Sequence, residues 1–138
     1  MPSKYKQIRD LEPADVEEIL HLGGPRELAY VPISLGLNAT DPVWGQNVCI
    51  SLATHADRTV RGNALLGLGH IARVHRWLDP TRAHALIEGG LRDESEYVRG
   101  QADCAADDVK MFLGWTVQRP AAEHSAAPDG GPNDTSDL

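Results

Sequence analysis

The residues of this 138-residue chain with usable chemistry are its six histidines, its two cysteines and a crowd of acids near its C-terminal third. His70 and His75 are the nearest pair of histidines, and five residues along a helix is a turn of about 140°, which aims the two rings apart instead of at one ion. Neither an H-E-x-x-H pair nor a Cys/His cluster occurs, and His55 and His84 read as surface or helix-end residues. Cys49 and Cys104 lie far apart without CxxC spacing and read as reduced core residues. Ser34, Ser51 and Ser95 have no nucleophile elbow around them. Gly67-Leu68-Gly69 lacks the preceding strand and the further glycines of a dinucleotide fingerprint, so it reads as a site of close helix packing. The expectation is a protein with no catalytic residue, no metal and no cofactor.

Charge is more informative. The chain carries a formal net charge of −7, which disfavours direct binding to nucleic acid or to an anionic membrane and suits steering toward a basic protein partner. Residues 57–92 hold six arginines against Asp57, Asp79 and Glu88, whereas residues 93–113 hold six acids against Arg99 and Lys110. Within that second stretch Asp103 and Asp107 are four residues apart, a like-charge spacing that destabilises a helix by a few tenths of a kcal/mol, ~0.3, unless something relieves it. One reading is a solvated face, with Arg99 relieving Asp103 and Lys110 relieving Asp107. The other is an acidic docking strip made of Glu96, Asp103 and Asp107, with Asp108 on its flank and Tyr97 as an anchor. Trp44, Trp77 and Trp115 each fall at a helix start or corner, where an indole wedges neighbouring helices together or anchors an interface.

Those residues must be carried by helices, because the apolar spacing is helical throughout. Pro13 to Gly23 places Val16, Ile19 and Leu20 on one face behind first-turn acids. From Pro25 to about Leu37 a second helix is expected, shortened or kinked by Pro32, which has no backbone donor. Asp41-Pro42 and Asp79-Pro80 are cap-and-proline starts, the first leading to about Ala53 and the second to Gly89-Gly90. Asp57 caps a helix running to about His75, with Gly62, Gly67 and Gly69 inside it; each costs about 1 kcal/mol against alanine unless a neighbour needs the space. The last helix is expected to open at Asp93 and end at Gly114, with Val98, Ala102, Ala105, Val109, Phe112 and Leu113 on one stripe. Residues 1–10 are a basic lead-in without periodicity. Residues 118–138, rich in Pro, Gly, Ala, Ser and Asp, have almost nothing to bury and read as a disordered tail.

A short phrase occurs twice along these helices: Val60-Arg61-Gly62-Asn63-Ala64, then Val98-Arg99-Gly100-Gln101-Ala102. A fixed period of this size, with another helix between the copies, is the mark of stacked helix pairs of HEAT type. The reading is an all-α superhelix, about six helices in three antiparallel pairs over residues 1–117, the degenerate first pair capping the array. Arg61 and Arg99, at matching positions, read as ties to an acid or carbonyl of the adjoining unit. No apolar run suits a signal peptide or membrane span, so a cytoplasmic location is expected.

Residues 40–115 resemble small HEAT-like immunity proteins of bacterial polymorphic-toxin and contact-dependent growth inhibition systems. The residues that carry the likeness are Val60 to Leu65, Gly69-His70-Ile71-Ala72-Arg73, Leu78-Asp79, Val98 to Ala102, and Asp107-Asp108-Val109 with Phe112. The resemblance implies a protein that is no enzyme and that binds and neutralises a cognate toxin domain, commonly a nuclease with a basic surface. Two other classes remain open from the residues alone. One is a HEAT-repeat adaptor that assembles an unrelated complex; the other is a helical-repeat lyase or glycosylase, for which a basic groove or a placed acid/base pair is missing.

Overall fold

The computed structural model describes residues 11–38 and 40–120. The basic lead-in and residues 121–138 of the expected tail lie outside the described residues. Six helices follow in order: α1 (Pro13–Leu22), α2 (Pro25–Asn38), α3 (Pro42–Leu52), α4 (Arg58–His75), α5 (Pro80–Gly90) and α6 (Glu96–Leu113). No strand occurs among the described residues, so the all-α reading holds.

The starts of these helices are written in short polar side chains. The Asp41 carboxylate accepts the Val43 and Trp44 N–H groups, Asp57 those of Thr59 and Val60, and Asp79 that of Thr81. Each satisfies first-turn donors that have no partner inside the helix. α6 opens two residues later than its sequence suggests. Ser95 is its cap, with Oγ accepting the Val98 N–H, because the Asp93 carboxylate turns back to the Ser95 N–H and to Arg61. Pro32 does not shorten α2, which continues through it. Pro32 is fully buried and its carbonyl lies against Gly67 of α4, so tertiary packing holds the helix where one backbone bond is lost.

The doubled phrase belongs to a longer repeat of 38 residues that takes in both helices of each pair. Asp41 and Asp79 are equivalent caps, as are Asp57 and Ser95, and the repeat ends on equivalent left-handed residues, Arg76 (φ 55°) and Gly114 (φ 72°). Equivalent Asn63 and Gln101 touch each other: the Gln101 Nε2 donates to Asn63 Oδ1 over 3.0 Å across 38 residues of sequence.

α4 is the central element, packed along α2 on one side and α6 on the other, with α3 over α4 and α2, and α5 over α6 and α4. α1 packs against α2 and buries Val16. Val60, Leu65, Leu68, Ile71 and Ala72 of α4 meet Val31, Cys49, Ile87, Val98 and Val109 in a core almost without aromatics. Trp44 and Trp115 pack against its rim, in keeping with the wedge reading. Cys49 is fully buried, and burial pushes its thiol up to about 12, which leaves it unreactive.

The repeat arginines lock the loops ahead of α4 and α6. Arg61 Nη1 donates to the carbonyls of His55 and Ala56, and Arg99 Nη1 donates to the equivalent carbonyls of Asp93 and Glu94. Among the described residues, only Arg61 of the two gains a carboxylate of the next repeat, a two-pronged contact with Asp93 at 2.8 Å for each bond. That guanidinium holds the Asp93 carboxyl below the usual carboxylate range. The folded-state value is depressed, so the stabilisation is complete above the unfolded value of about 3.9 and drains away as pH falls through the folded one. Arg61→Ala is therefore expected to cost about 2 kcal/mol at pH 7, against about 1 kcal/mol for Arg99→Ala, which leaves no carboxylate behind. Urea unfolding measures both, and in an Asp93→Asn chain the loss of stability between pH 5 and pH 2 should be smaller than in the unaltered protein.

Candidate partner-binding surface

The acids of α6 divide between two surfaces. Glu96, Asp103 and Asp107 recur at seven and four residues and lie exposed on the edge of α6 turned away from α4. Asp108 and Tyr97 lie instead on the side facing α4, and both are half-buried. The structure thus groups three of the five candidate residues and separates the other two.

Tyr97 belongs to a polar network that stitches three helices. Its hydroxyl donates to Asn63 Oδ1, and the Gln101 Nε2 donates to the Tyr97 oxygen over 3.0 Å. The Asn63 Nδ2 in turn donates to the Ala29 carbonyl of α2 over 3.0 Å. Burial raises the phenol pKa, opposed by the hydrogen bond from Gln101. Such a ring is fixed before any partner arrives.

Asp108 sits over α4, close enough to Gly69 that a Cβ there would lie 2.9 Å from its Oδ2. Burial and the neighbouring Asp107 push its carboxyl up, opposed by His70 and Arg73. His70 is pushed down, first by burial and then by Arg73, with Asp108 opposing. Arg73 Nη2 donates to His70 Nδ1 over 3.1 Å, which leaves the other ring nitrogen of the neutral imidazole to carry the proton. Cys104, expected in the core, is exposed, because it falls between the positions of the Ala102-Ala105-Val109 stripe. Although the residue is exposed, the partial desolvation of its sulfur raises the thiol, as do Asp103, Asp108 and Asp107, the opposite of activation.

On the outer edge the like charges of Asp103 and Asp107 are relieved, but by neither of the expected cations. Arg99 is committed to the loop carbonyls. The bridging group is Arg119, whose Nη1 contacts Asp103 and whose Nη2 donates to Asp107 over 2.9 Å. Arg119 is brought there by a segment anchored on α5. Gly114 turns the chain, Trp115 lies 5.8 Å from the His84 ring, His84 Nε2 meets the Thr116 carbonyl at 2.8 Å, and the Gln118 N–H donates to Glu88 Oε2 over 2.7 Å. The chain is therefore held through Arg119, past the point where the disordered tail was expected to begin. Arg119 is the single lysine or arginine after Lys110, and that isolation was the available signal.

A cleft of about 290 Å³ between the repeats is lined by Arg61, Leu65, Leu86, Gly90 and Asp93. Its charged groups are paired with each other and with the loop carbonyls. Among the described residues no group of three or more His, Cys, Asp or Glu is placed to hold a metal ion. Nor is any helix among them long and apolar enough to cross a membrane.

The fold and this edge define the class: an all-α array of helix pairs with an acidic, guanidinium-accepting terminal helix. No protein-family model matches the chain, and no curated protein matches it. Among solved structures, it is similar to a chain in the crystal structure of a CDI complex from Cupriavidus taiwanensis LMG 19424. The identity is 24%, the TM-score 0.66, and the match covers 80% of this chain and 98% of the other. At that identity the likeness is one of fold.

Proposed function

We propose that this chain is a non-catalytic immunity protein that binds a cognate toxin domain of a contact-dependent growth inhibition system and neutralises it. The observation that carries the reading is the likeness to one chain of a CDI complex, which runs over 98% of that chain. The helix-pair architecture read from the sequence as HEAT-like supports it, since stacked helix pairs present long rigid faces for protein binding. The contact we assign is the α6 edge of Glu96, Asp103 and Asp107; Asp108 and Tyr97, on the α4-facing side, would be reached only by a partner that also wraps over α4. In support, two of those carboxylates together accept a guanidinium, the group that a basic toxin surface offers most readily. A nuclease is the toxin class this edge suits best, because a surface built for phosphates also attracts a row of carboxylates.

The test is growth. A toxin domain taken from the gene neighbouring this one, expressed alone, should arrest cells, and co-expression with this chain should restore growth to that of the empty-vector control; a neighbourhood without such a gene counts against the reading. Arrest that persists despite soluble expression of both proteins overturns the reading.

A further inference from the structure

α6 is the last helix among the described residues; it packs against α4 on one side and meets no described helix on its outer edge. A further repeat would stack on that open edge. What lies there instead is the strap Trp115–Arg119, anchored on α5 through His84 and Glu88 and ending with the Arg119 fork on Asp103 and Asp107. The anchoring contacts and the fork differ in kind. Trp115 and Val117 are packed against the core, whereas the Arg119, Asp103 and Asp107 side chains retain 40%, 55% and 70% of their exposure. An ion pair that open is weak and exchanges readily with another cation.

We propose that Arg119 is a built-in surrogate ligand: it occupies the place on Asp103 and Asp107 that an arginine of a basic protein partner takes, and the partner displaces it while the strap stays anchored at Trp115. Three observations converge on this. The two carboxylates are spaced so that one guanidinium satisfies both, which identifies the partner's group as a fork and not a point charge. The fork lies one residue past the anchoring contact of Gln118 on Glu88 and is exposed, so its side chain can swing away without unpacking the core. The strap also quenches the like-charge repulsion of Asp103 and Asp107 in the unbound protein. Binding then exchanges one arginine for another, and its net affinity is lower than the edge alone would give. The inference rests on the reading that the α6 edge receives a basic partner.

The experiment titrates the full chain at low ionic strength with a short peptide carrying three arginines, by calorimetry. Arg119→Gln is compared with Arg92→Gln, which removes the same charge from an exposed position elsewhere. Asp103→Asn/Asp107→Asn is compared with Glu17→Gln/Glu18→Gln, which removes the same charge from α1. The expected result is binding about threefold tighter for Arg119→Gln than for Arg92→Gln, the factor by which an exposed ion pair competes. Binding should be lost in the Asp103/Asp107 variant and kept in the α1 variant. If the peptide needs Asp103 and Asp107 but binds Arg119→Gln and Arg92→Gln alike, the surrogate is overturned and the docking edge stands. If the peptide ignores Asp103 and Asp107, both fall.

Discussion

Gly67→Ala is expected to destabilise the protein by about 3 kcal/mol, while Gly100→Ala, in an equally regular stretch of helix, stabilises it by up to ~1 kcal/mol. Alanine is the better helix former by roughly 1 kcal/mol, so propensity alone predicts a gain at both positions. Space decides otherwise at Gly67. A Cβ there would stand 2.6 Å from the Pro32 carbonyl oxygen and 2.9 Å from Cys49 Sγ. The first neighbour is backbone and cannot swing aside, so α2 and α4 must separate, and the core between them loses contacts along both helices. At Gly100 a Cβ meets nothing within 4 Å. Gly62 occupies the same place in the preceding repeat, and a Cβ there would lie 2.9 Å from the Tyr97 ring of α6. The two positions differ because α6 stacks on α4, whereas no described helix stacks on the outer edge of α6. Gly62→Ala should accordingly fall between the other two. Far-UV circular dichroism during urea unfolding gives all three values, and a Gly67→Ala midpoint at or above the unaltered one would show that α2 does not approach α4 so closely.

What could be read from the residues follows how local the governing physics is. Caps and stops are local, so Asp57, Asp79 and Gly114 placed helix ends to within a residue. The start of α6 was misplaced for a non-local reason: Asp93 looks like a cap, but Arg61, 32 residues earlier, claims its carboxylate. Pro32 was read by its local cost, and the packing of α2 on α4 outweighs it. Gln46 gave no signal, since a lone glutamine in an apolar helix reads as surface. It is fully buried, and its Oε1 accepts the Asp79 N–H at the start of α5. The candidate edge was legible in outline because Glu96, Asp103 and Asp107 lie on the face opposite the buried stripe. Its occupant was not, because Arg119 reaches it through a turn at Gly114 and contacts to α5 that leave no periodic trace.

Removing the Asp103 and Asp107 charges from the α6 edge is expected to weaken association with the proposed toxin partner about a hundredfold at low ionic strength, as two charged contacts of about 1.4 kcal/mol each are lost. Asp103→Asn/Asp107→Asn keeps side-chain size and removes only exposed contacts to Arg119, worth about 1 kcal/mol at most, so the variant should be folded at neutral pH. A loss of affinity is then a loss at the interface. Its kinetic form is diagnostic. Carboxylates that steer a basic surface from a distance act on the association rate, and that part should shrink as salt shortens the screening length from about 10 Å at 0.1 M to about 3 Å at 1 M. Carboxylates that accept a guanidinium fork in the bound state act on the dissociation rate, and that part persists in salt. Surface plasmon resonance at two salt concentrations separates the two. A double variant with unchanged rates at both would place the contact elsewhere, and the half-buried Asp108 on the α4 side of the helix would be the next residue to neutralise. Because Arg119 already holds these carboxylates in the free protein, the proposed displacement predicts a change in dissociation rate larger than the change in association rate: a toxin docking here would meet an edge whose charge is partly cancelled, and would gain the full fork only once Arg119 had left.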